Sequence, residues 1–333
     1  MPYSGVECSL SDDLTEDEIN ELKRGLAATT SYVYTIKRDT LEEVQSSNIS
    51  IDSLINSAED EIARVISISG DYLAVGVSGE DSDSRGVFLP SELIQANEVD
   101  GSNSVNPLVV NSNAENSGAV YVFKKNEIGT GWHFSQFIKS FNADAGDSFG
   151  HAISLEGDRL VVSAIGEDSH EQGVFLSSSE QSKATAGTSN LALESGAVYV
   201  YERDESDVWT EIAYIKPNEN IVANDGYNNK FGHKVVLDKS YLLISAPKED
   251  SANGSPEDAT RTDSGAVYMH NASDLVYINT LKANVAGAGD MFGSSLAIDG
   301  DYLAVGAPFE DSNSSEIKNN IVLEEEVLDS DPQ

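Results

Sequence analysis

The residues of this chain best suited to chemistry are carboxylates that recur in four short acidic loops. Each loop has the sequence Glu-Asp-Ser and follows a short run of apolar residues. Carboxylate oxygens that meet at one place are typical ligands of Ca²⁺. Asp and Ser side chains also end strands by bonding to nearby backbone groups, which is the structural alternative. The candidate metal ligands are Glu80, Asp81, Asp83, Glu167, Asp168, Glu249, Asp250, Glu310 and Asp311.

The sequence contains no recognisable catalytic motif. Its five histidines form no His-Glu-x-x-His zinc site, and there is neither a Gly-x-Ser-x-Gly elbow nor a phosphate-binding loop. The many carboxylates could supply a glycosidase-like acid pair, but nothing selects one pair. His151 and His233 both follow a Phe-Gly dipeptide, which predicts a packing role for them. We therefore predict a protein that is not an enzyme and that has no catalytic or cofactor-binding residues.

The charge composition restricts the partners. The 333 residues include 57 Asp plus Glu against 20 Lys plus Arg, which gives a formal net charge of −37. Such an excess repels phosphate backbones and anionic lipid head groups, so nucleic-acid binding is not expected. No apolar run approaches the roughly 20 residues of a transmembrane helix, so membrane insertion is not expected either. The single cysteine, Cys8, cannot form a disulfide framework.

The elements that would position the acidic loops are hairpins. Residues Asp290–Ser312, DMFGSSLAIDGDYLAVGAPFEDS, contain two alternating apolar runs around a Gly-Asp turn, the pattern of a β-hairpin. The distance from the Phe of its Phe-Gly dipeptide to the last Ser is 20 residues, and three other segments keep that distance. These segments are Asp60–Ser82, Asp147–Ser169 and Asn229–Ser251. In the first of them, Ile62 takes the place of the Phe.

A second strand recurs after each acidic loop except the last. It reads Ser-Gly-Ala-Val-Tyr and begins at Ser117, Ser195 and Ser264, and a further apolar-polar run follows it. Its distance from the acidic loop is 35, 26 and 13 residues in turn, as expected for rigid strands joined by loops of variable length. Each repeat therefore supplies four strands. The repeats lie near residues 60–145, 146–224 and 225–289, with a partial one at 290–333.

The N-terminal region begins with the second half of such a repeat. If Thr30 takes the position of Ser117, the interval from Thr30 to Ile62 equals the interval from Ser117 to Phe149. The partial repeat at 290–333 is then either completed by residues 30–57 or continued in a longer parent protein. Upstream of Thr30, the residues Thr15 and Glu18 fit a helix capping box. We predict an N-terminal segment, residues 1–28, with a short helix, and a repeat domain over residues 29–333.

These repeats resemble the FG-GAP repeats of bacterial surface proteins and of integrin α-chain β-propellers. The residues that carry the resemblance are Phe292-Gly293 with Gly306-Ala307-Pro308, and Phe231-Gly232 with Ser245-Ala246-Pro247. Two further repeats show weaker forms, at Phe149-Gly150 and Ile62-Ala63. The resemblance implies an all-β fold, a β-propeller of four-stranded antiparallel blades, with three full blades and two half-blades visible. The Phe side chains would fill the space between blades, and Gly76, Ser163, Ser245 and Gly306 would permit close packing.

The chain departs from the integrin pattern in two ways. Calcium-binding integrin repeats carry an Asp-x-Asp-x-Asp-Gly loop between the hairpin strands, whereas this chain has two-residue turns such as Gly300-Asp301. Such a turn cannot supply the six or more oxygens that Ca²⁺ requires, so Ca²⁺ remains a candidate ligand only at the acidic loops. The blade number also differs from seven, which is compatible with a four-bladed ring or with a fragment of a larger propeller.

Three functions fit these observations. The leading hypothesis is a non-enzymatic interaction or adhesion module that presents the long loops 84–116 and 172–194 to a protein or glycan ligand. The alternatives are a propeller-based enzyme of the carbohydrate-active or esterase type, and a structural spacer in a large surface protein. The N-terminus has no signal-peptide pattern, so either the protein stays inside the cell or the sequence is a mature part or a fragment of a longer protein. Because the repeats resemble those of surface proteins, we expect an extracellular or cell-surface location.

Overall fold

The structure is a computed structural model that describes residues 65–96, 103–105, 111–125, 132–177, 190–217, 228–251, 260–300 and 302–311. The predicted helix near Thr15, and the strands predicted over residues 30–57, lie outside the described residues. No helix in the described part of the chain is long and apolar enough to cross a membrane.

The described elements are eighteen short strands and one helical turn. They are β1 (Val65–Ser69), β2 (Tyr72–Val77), β3 (Gly86–Phe88), α1 (Pro90–Leu93), β4 (Ile94–Ala96), β5 (Asn103–Val105), β6 (Ala119–Lys125), β7 (Trp132–Lys139), β8 (Phe149–Glu156), β9 (Arg159–Ala164), β10 (Gly173–Leu176), β11 (Ala197–Arg203), β12 (Trp209–Lys216), β13 (Val235–Leu237), β14 (Tyr241–Ala246), β15 (Ala266–Asn271), β16 (Tyr277–Leu281), β17 (Ser295–Asp299) and β18 (Tyr302–Gly306). The all-β prediction is therefore confirmed.

The strands form three antiparallel blades and a half-blade. Blade 1 has the order β1-β2-β6-β7, blade 2 the order β8-β9-β11-β12, and blade 3 the order β13-β14-β15-β16. Among the described residues, strands β17 and β18 pair only with each other, and they form the half-blade. The hairpin register is the same in blade 1 and the half-blade, where Val65 faces Gly76 and Ser295 faces Gly306. This is the sheet organisation of propeller blades that the repeats predicted.

The blades pack through the Phe-Gly dipeptides. Phe149 is fully buried in a cluster that combines Val120 of blade 1 with Tyr199 of blade 2, and its ring meets the Tyr199 ring edge-on. Phe231 is equally buried between blades 2 and 3. The predicted packing of these side chains between blades is confirmed.

The small residues on the second strand have a specific neighbour. A Cβ on Gly76 would lie 2.2 Å from the backbone oxygen of Gly150, the glycine of the next blade's Phe-Gly dipeptide. Ser163 meets Gly232 in the same way, since a Cβ on that glycine would lie 2.7 Å from the Ser163 Cβ. Because the neighbouring backbone comes so close, larger residues cannot occupy these positions.

The two long insertions are not merely loops. Each contains a Gly-Val-Phe-Leu tetrapeptide from which a fifth strand forms at the outer edge of its blade. Strand β3 pairs with β7 so that Gly86 faces Lys139, and β10 pairs with β12 so that Gly173 faces Lys216. Phe88 packs against Phe137, and Phe175 packs against Tyr214. Burial of these apolar side chains on the blade explains why the tetrapeptides pair rather than remain in solvent.

Candidate functional site

The Glu of each acidic loop in blades 1 to 3 is held by a buried lysine. In blade 2, Lys216 Nζ lies 2.6 Å from Glu167 Oε2 and 2.6 Å from Ser195 Oγ. Lys139 makes the same contacts with Glu80 at 2.5 Å and Ser117 at 2.7 Å. We call each such Lys, Glu and Ser set a junction triad. The third comprises Lys282, Glu249 and Ser264.

The electrostatics of the triads follow from burial. Lys139 and Lys216 are almost completely buried, and this desolvation lowers the pKa of both ammonium groups. The carboxylates of Glu80 and Glu167 oppose the shift because they stabilise the charged lysine. The serine of each triad also lies within 3.3 Å of two carbonyl oxygens of its acidic loop, so its hydroxyl can donate there while accepting from lysine. The triads thus fasten each acidic loop to its own blade.

The Asp of each acidic loop also has a local role. Asp81 Oδ1 accepts the backbone N–H of Asn116 at 2.8 Å, and Asp168 Oδ1 accepts that of Glu194 at 2.6 Å. Both donor residues have a positive φ, 55° and 53°, in the left-handed region that costs energy outside glycine. The carboxylate therefore stabilises a strained turn just before the Ser-Gly-Ala-Val-Tyr strand. Asp250 holds Asp263 in the same way.

The metal hypothesis stays a prediction. Within the residues that the structure describes, no group of three or more His, Cys, Asp or Glu side chains is arranged to hold an ion. Glu310 and Asp311 belong to the half-blade and are exposed. The contacts of the other candidate ligands support the structural alternative, in which the acidic loops serve to terminate strands and fix the turns.

Asp147 is a buried carboxyl next to these loops. It precedes the Phe-Gly dipeptide of blade 2, and its Oδ2 accepts the backbone N–H of Asp144 at 2.9 Å. Burial raises the pKa of Asp147 to about 8, and the negative charge of Glu167 adds to the effect. Asp147 is therefore mostly protonated at neutral pH, which avoids a buried charge beside the Glu167 carboxylate.

His151 and His233 lie together at the junction of blades 2 and 3. Their ring centroids are 5.6 Å apart. Burial lowers the pKa of His233, and the nearby Lys230 and Lys234 lower it further. The neutral ring can then pack against its neighbour without charge repulsion, in agreement with the packing role that the sequence predicts.

The two long insertions meet at one residue of the loop between blades 1 and 2. Arg85, from the first insertion, donates to Asp144 Oδ1 at 3.2 Å, and Asn190, from the second, donates to Asp144 Oδ2 at 3.3 Å. The base of the first insertion is fixed by Asp83, whose carboxylate accepts from the side-chain amides of Asn111 at 2.9 Å and Asn113 at 3.2 Å. We call this surface the insertion face, with residues Asp83, Arg85, Asn111, Asn113, Asp144 and Asn190.

Exposed apolar side chains adjoin this polar surface. Leu191 and Leu193 follow shortly after Asn190 and are more than half exposed. Large apolar side chains surrounded by charged and amide groups are typical of protein interaction sites. We include Leu191 and Leu193 in the insertion face, which thus combines an apolar contact area with a fixed set of hydrogen-bonding groups.

Sequence reasoning missed the lysines of the triads and the convergence on Asp144. The lysines do leave a signal, because each ends or directly follows the last strand of its blade, in Phe-Ile-Lys, Tyr-Ile-Lys and Thr-Leu-Lys. The Asp144 contacts leave none, since they join residues 59 and 46 positions apart.

Comparison with protein families agrees with this geometry. The FG-GAP repeat model matches residues 132–175 and 277–317. Two segments of the chain are therefore FG-GAP repeats. Each matched FG-GAP segment begins on the last strand of one blade, includes the triad lysine and continues through the Phe-Gly hairpin of the next blade. A search of curated proteins found no match.

Proposed function

We propose that this chain, which contains FG-GAP repeats, is a non-enzymatic interaction module that binds a protein or glycan ligand through its insertion face. The observation that carries the proposal is the convergence of two insertions on Asp144, which makes one surface from loops of two blades. Function on loops held by a rigid scaffold is the usual arrangement in such folds. The strongly negative chain favours a ligand that is neutral or basic. An extracellular or cell-surface location fits this role.

The rigidity of the surface supports the proposal. Both insertions are fixed at each end, by a fifth strand on the way out and by backbone contacts to the acidic loop on return, such as Ala114 N to Asp81 O at 2.8 Å. A surface ordered before binding loses less conformational entropy on association, so its contacts contribute more of their free energy to affinity.

The test uses the exposed leucines of the insertion face. We expect Leu191→Ser with Leu193→Ser to weaken binding to a panel of purified surface proteins and printed glycans by about tenfold or more, because two apolar contacts are lost. The melting temperature should not change, since both side chains are exposed. Val276→Ser is the matched control, because Val276 is similarly exposed but lies beside β16 on blade 3.

Two results would contradict the proposal. If no panel member binds the wild-type chain, the spacer hypothesis is favoured. If a ligand binds and the control variant weakens it as much as the double variant does, the binding surface lies elsewhere.

A further inference from the structure

The outer edge of blade 3 differs from the outer edges of blades 1 and 2. In blades 1 and 2 a Gly-Val-Phe-Leu segment pairs with the last strand of the blade and forms β3 and β10. In blade 3 the sheet ends at β16, which pairs only with β15 among the described residues. The insertion of blade 3 is the shortest of the three and contains no Gly-Val-Phe-Leu sequence. Within the described part of the chain, β16 is therefore an open strand edge.

The side chains of β16 have the exposure of an uncovered strand. In blade 2, Tyr214 and Ala213 face the fifth strand and are fully buried. Counted back from the triad lysine, the equivalent residues of β16 are Thr280, which is half-buried, and Asn279, which is exposed. On the same strand Ile278 is 44% exposed. A further strand at this edge would therefore cover apolar and polar surface that blades 1 and 2 already bury.

The backbone of β16 is oriented for such pairing. In an antiparallel ladder, alternate residues direct their N–H and C=O groups to the same side. In blade 2 the N–H of Ser177 donates to the Ile212 carbonyl at 2.8 Å, so Ile212 and every second residue after it face the fifth strand. The equivalent positions of β16 include Ile278 and Thr280. The Thr280 N–H donates at 2.9 Å to Oδ1 of the adjacent Asn279 side chain, a local cap that an incoming strand can replace.

We propose that the outer edge of blade 3 is a docking site for an extended peptide of a partner protein, with the pattern glycine, aliphatic, aromatic, aliphatic. The peptide adds to β16 as an antiparallel fifth strand and places its aromatic residue beside Thr280. The occupant is inferred from blades 1 and 2, where the same sequence pairs in the same register, Phe88 with Phe137 and Phe175 with Tyr214. Because Thr280 is smaller than Phe137 or Tyr214, it leaves room for the aromatic ring of the peptide.

The glycine of the peptide would bury the third junction triad more completely. In blade 1, Gly86 of the fifth strand faces Lys139, and the side chains of Lys139 and Glu80 are 0% and 3% exposed. The side chains of Lys282 and Glu249 in blade 3 are 7% and 9% exposed. The net charge of −37 favours a peptide with basic flanking residues over a second copy of this chain. This site lies on blade 3, apart from the insertion face, and does not depend on the function proposed above.

The probe is a fluorescent peptide with the sequence of residues 170–177, His-Glu-Gln-Gly-Val-Phe-Leu-Ser, with two lysines added at each end. We expect saturable binding to the full chain, measured by fluorescence anisotropy, with a dissociation constant below about 1 mM. N-methylation of the peptide's phenylalanine removes an N–H that the register directs at β16, and should weaken binding at least about tenfold. N-methylation of its valine, whose N–H points away from β16, is the matched control and should change the affinity less than about threefold.

A variant of the chain tests the local cap. Asn279→Ala removes the acceptor that the peptide must displace from the Thr280 N–H, so it should tighten binding about threefold. Weaker binding by this variant would contradict the pairing of the peptide with Thr280.

Hydrogen exchange locates the bound peptide. Saturating peptide should slow exchange of the Thr280 amide at least about tenfold and leave the amide of Tyr214, which β10 already covers, unchanged. Changed exchange at Tyr214 would show displacement of β10 and overturn the proposal. Equal effects of the two N-methyl groups, or no saturation up to about 1 mM, would also overturn it. A dimer in sedimentation that the peptide dissociates would assign the edge to a second copy, which again overturns it.

Discussion

The junction triads predict a large and site-specific loss of stability on removal of one lysine. In Lys216→Met, a side chain of similar length removes the ammonium and leaves the Glu167 carboxylate buried. Breaking one partner from a buried ion pair typically costs about 3–5 kcal/mol, because the remaining charge is uncompensated. Glu167 keeps three hydrogen bonds, from Asn142 Nδ2 at 3.1 Å and from Ser169 N and Oγ at 3.2 and 3.1 Å. We therefore expect a loss near the lower limit, about 3 kcal/mol.

The assay is urea unfolding followed by fluorescence. Trp209 is fully buried in blade 2 and reports on the blade that carries the substitution. Lys282→Met should cost less, about 1–2 kcal/mol, because the Lys282 and Glu249 side chains keep 7% and 9% exposure and the remaining charge is better hydrated. Lys239→Met, at an exposed turn, should change the free energy of unfolding by less than about 0.5 kcal/mol.

A further variant separates charge from shape. Lys216→Met with Glu167→Leu removes both charges, and we expect it to recover most of the loss because apolar replacement of a complete buried pair is often neutral. The reasoning is refuted if Lys216→Met costs no more than Lys239→Met. It is also refuted if the double variant is less stable than the wild type by the sum of the losses in Lys216→Met and Glu167→Leu measured separately.

Three other predictions follow from the same contacts. Asp147→Asn should flatten the pH dependence of the free energy of unfolding. The pKa of Asp147 is raised to about 8 in the folded chain, so the contribution of this one group to stability is fully present below pH 3.8 and is lost as the pH rises to about 8, by at most about 1.4 kcal/mol per pH unit. Blade 3 already has Asn229 at this position. Urea titrations between pH 4 and 9 measure this, and parallel curves for both chains would contradict it. Gly196→Ala should prevent stable packing of blades 2 and 3, because its Cβ would lie 2.1 Å from the backbone oxygen of Phe231. The control is Gly157→Ala, at a turn with open space around it, which should cost only about 1–2 kcal/mol. Thermal melts compare the two variants. Gln136→Leu should cost about 2–4 kcal/mol in the same melts, because it leaves the backbone N–H of Trp209 and the backbone carbonyl of Asp207, both in blade 2, without their hydrogen-bond partner. A loss below about 1 kcal/mol would contradict this reasoning.

The hairpins could be predicted from sequence because strand periodicity and spacing coincide in every repeat. A 20-residue distance preserved from Phe149 to Ser169 and from Phe231 to Ser251 leaves little freedom for the register between them. The packing of the phenylalanines follows from their size and from the glycine beside each. Fold and blade boundaries are thus local properties that repeat along the chain.

The triads and the insertion face depend instead on contacts between distant residues. A lysine at the end of an apolar strand has the appearance of a strand boundary, and only the folded blade shows that its ammonium reaches Glu80 or Glu167 inside the protein. The Gly-Val-Phe-Leu strands were missed because four apolar residues within a polar insertion do not differ from an ordinary loop. The sequence analysis singled out the carboxylates of the acidic loops but not the lysines that bind Glu80, Glu167 and Glu249.

The anchoring of each insertion has a consequence for how such proteins diversify. In all three blades the insertion leaves and returns at the same two points, because the triad serine binds the carbonyls of the acidic loop whether 13, 26 or 35 residues intervene. Lengthening the insertion from 13 to 35 residues adds only about 0.9 kcal/mol of loop-closure entropy. Natural variation can therefore exchange one insertion for another without redesign of the blade beneath it. Blade 3, with the shortest connection, is accordingly a ready recipient for a transplanted recognition loop.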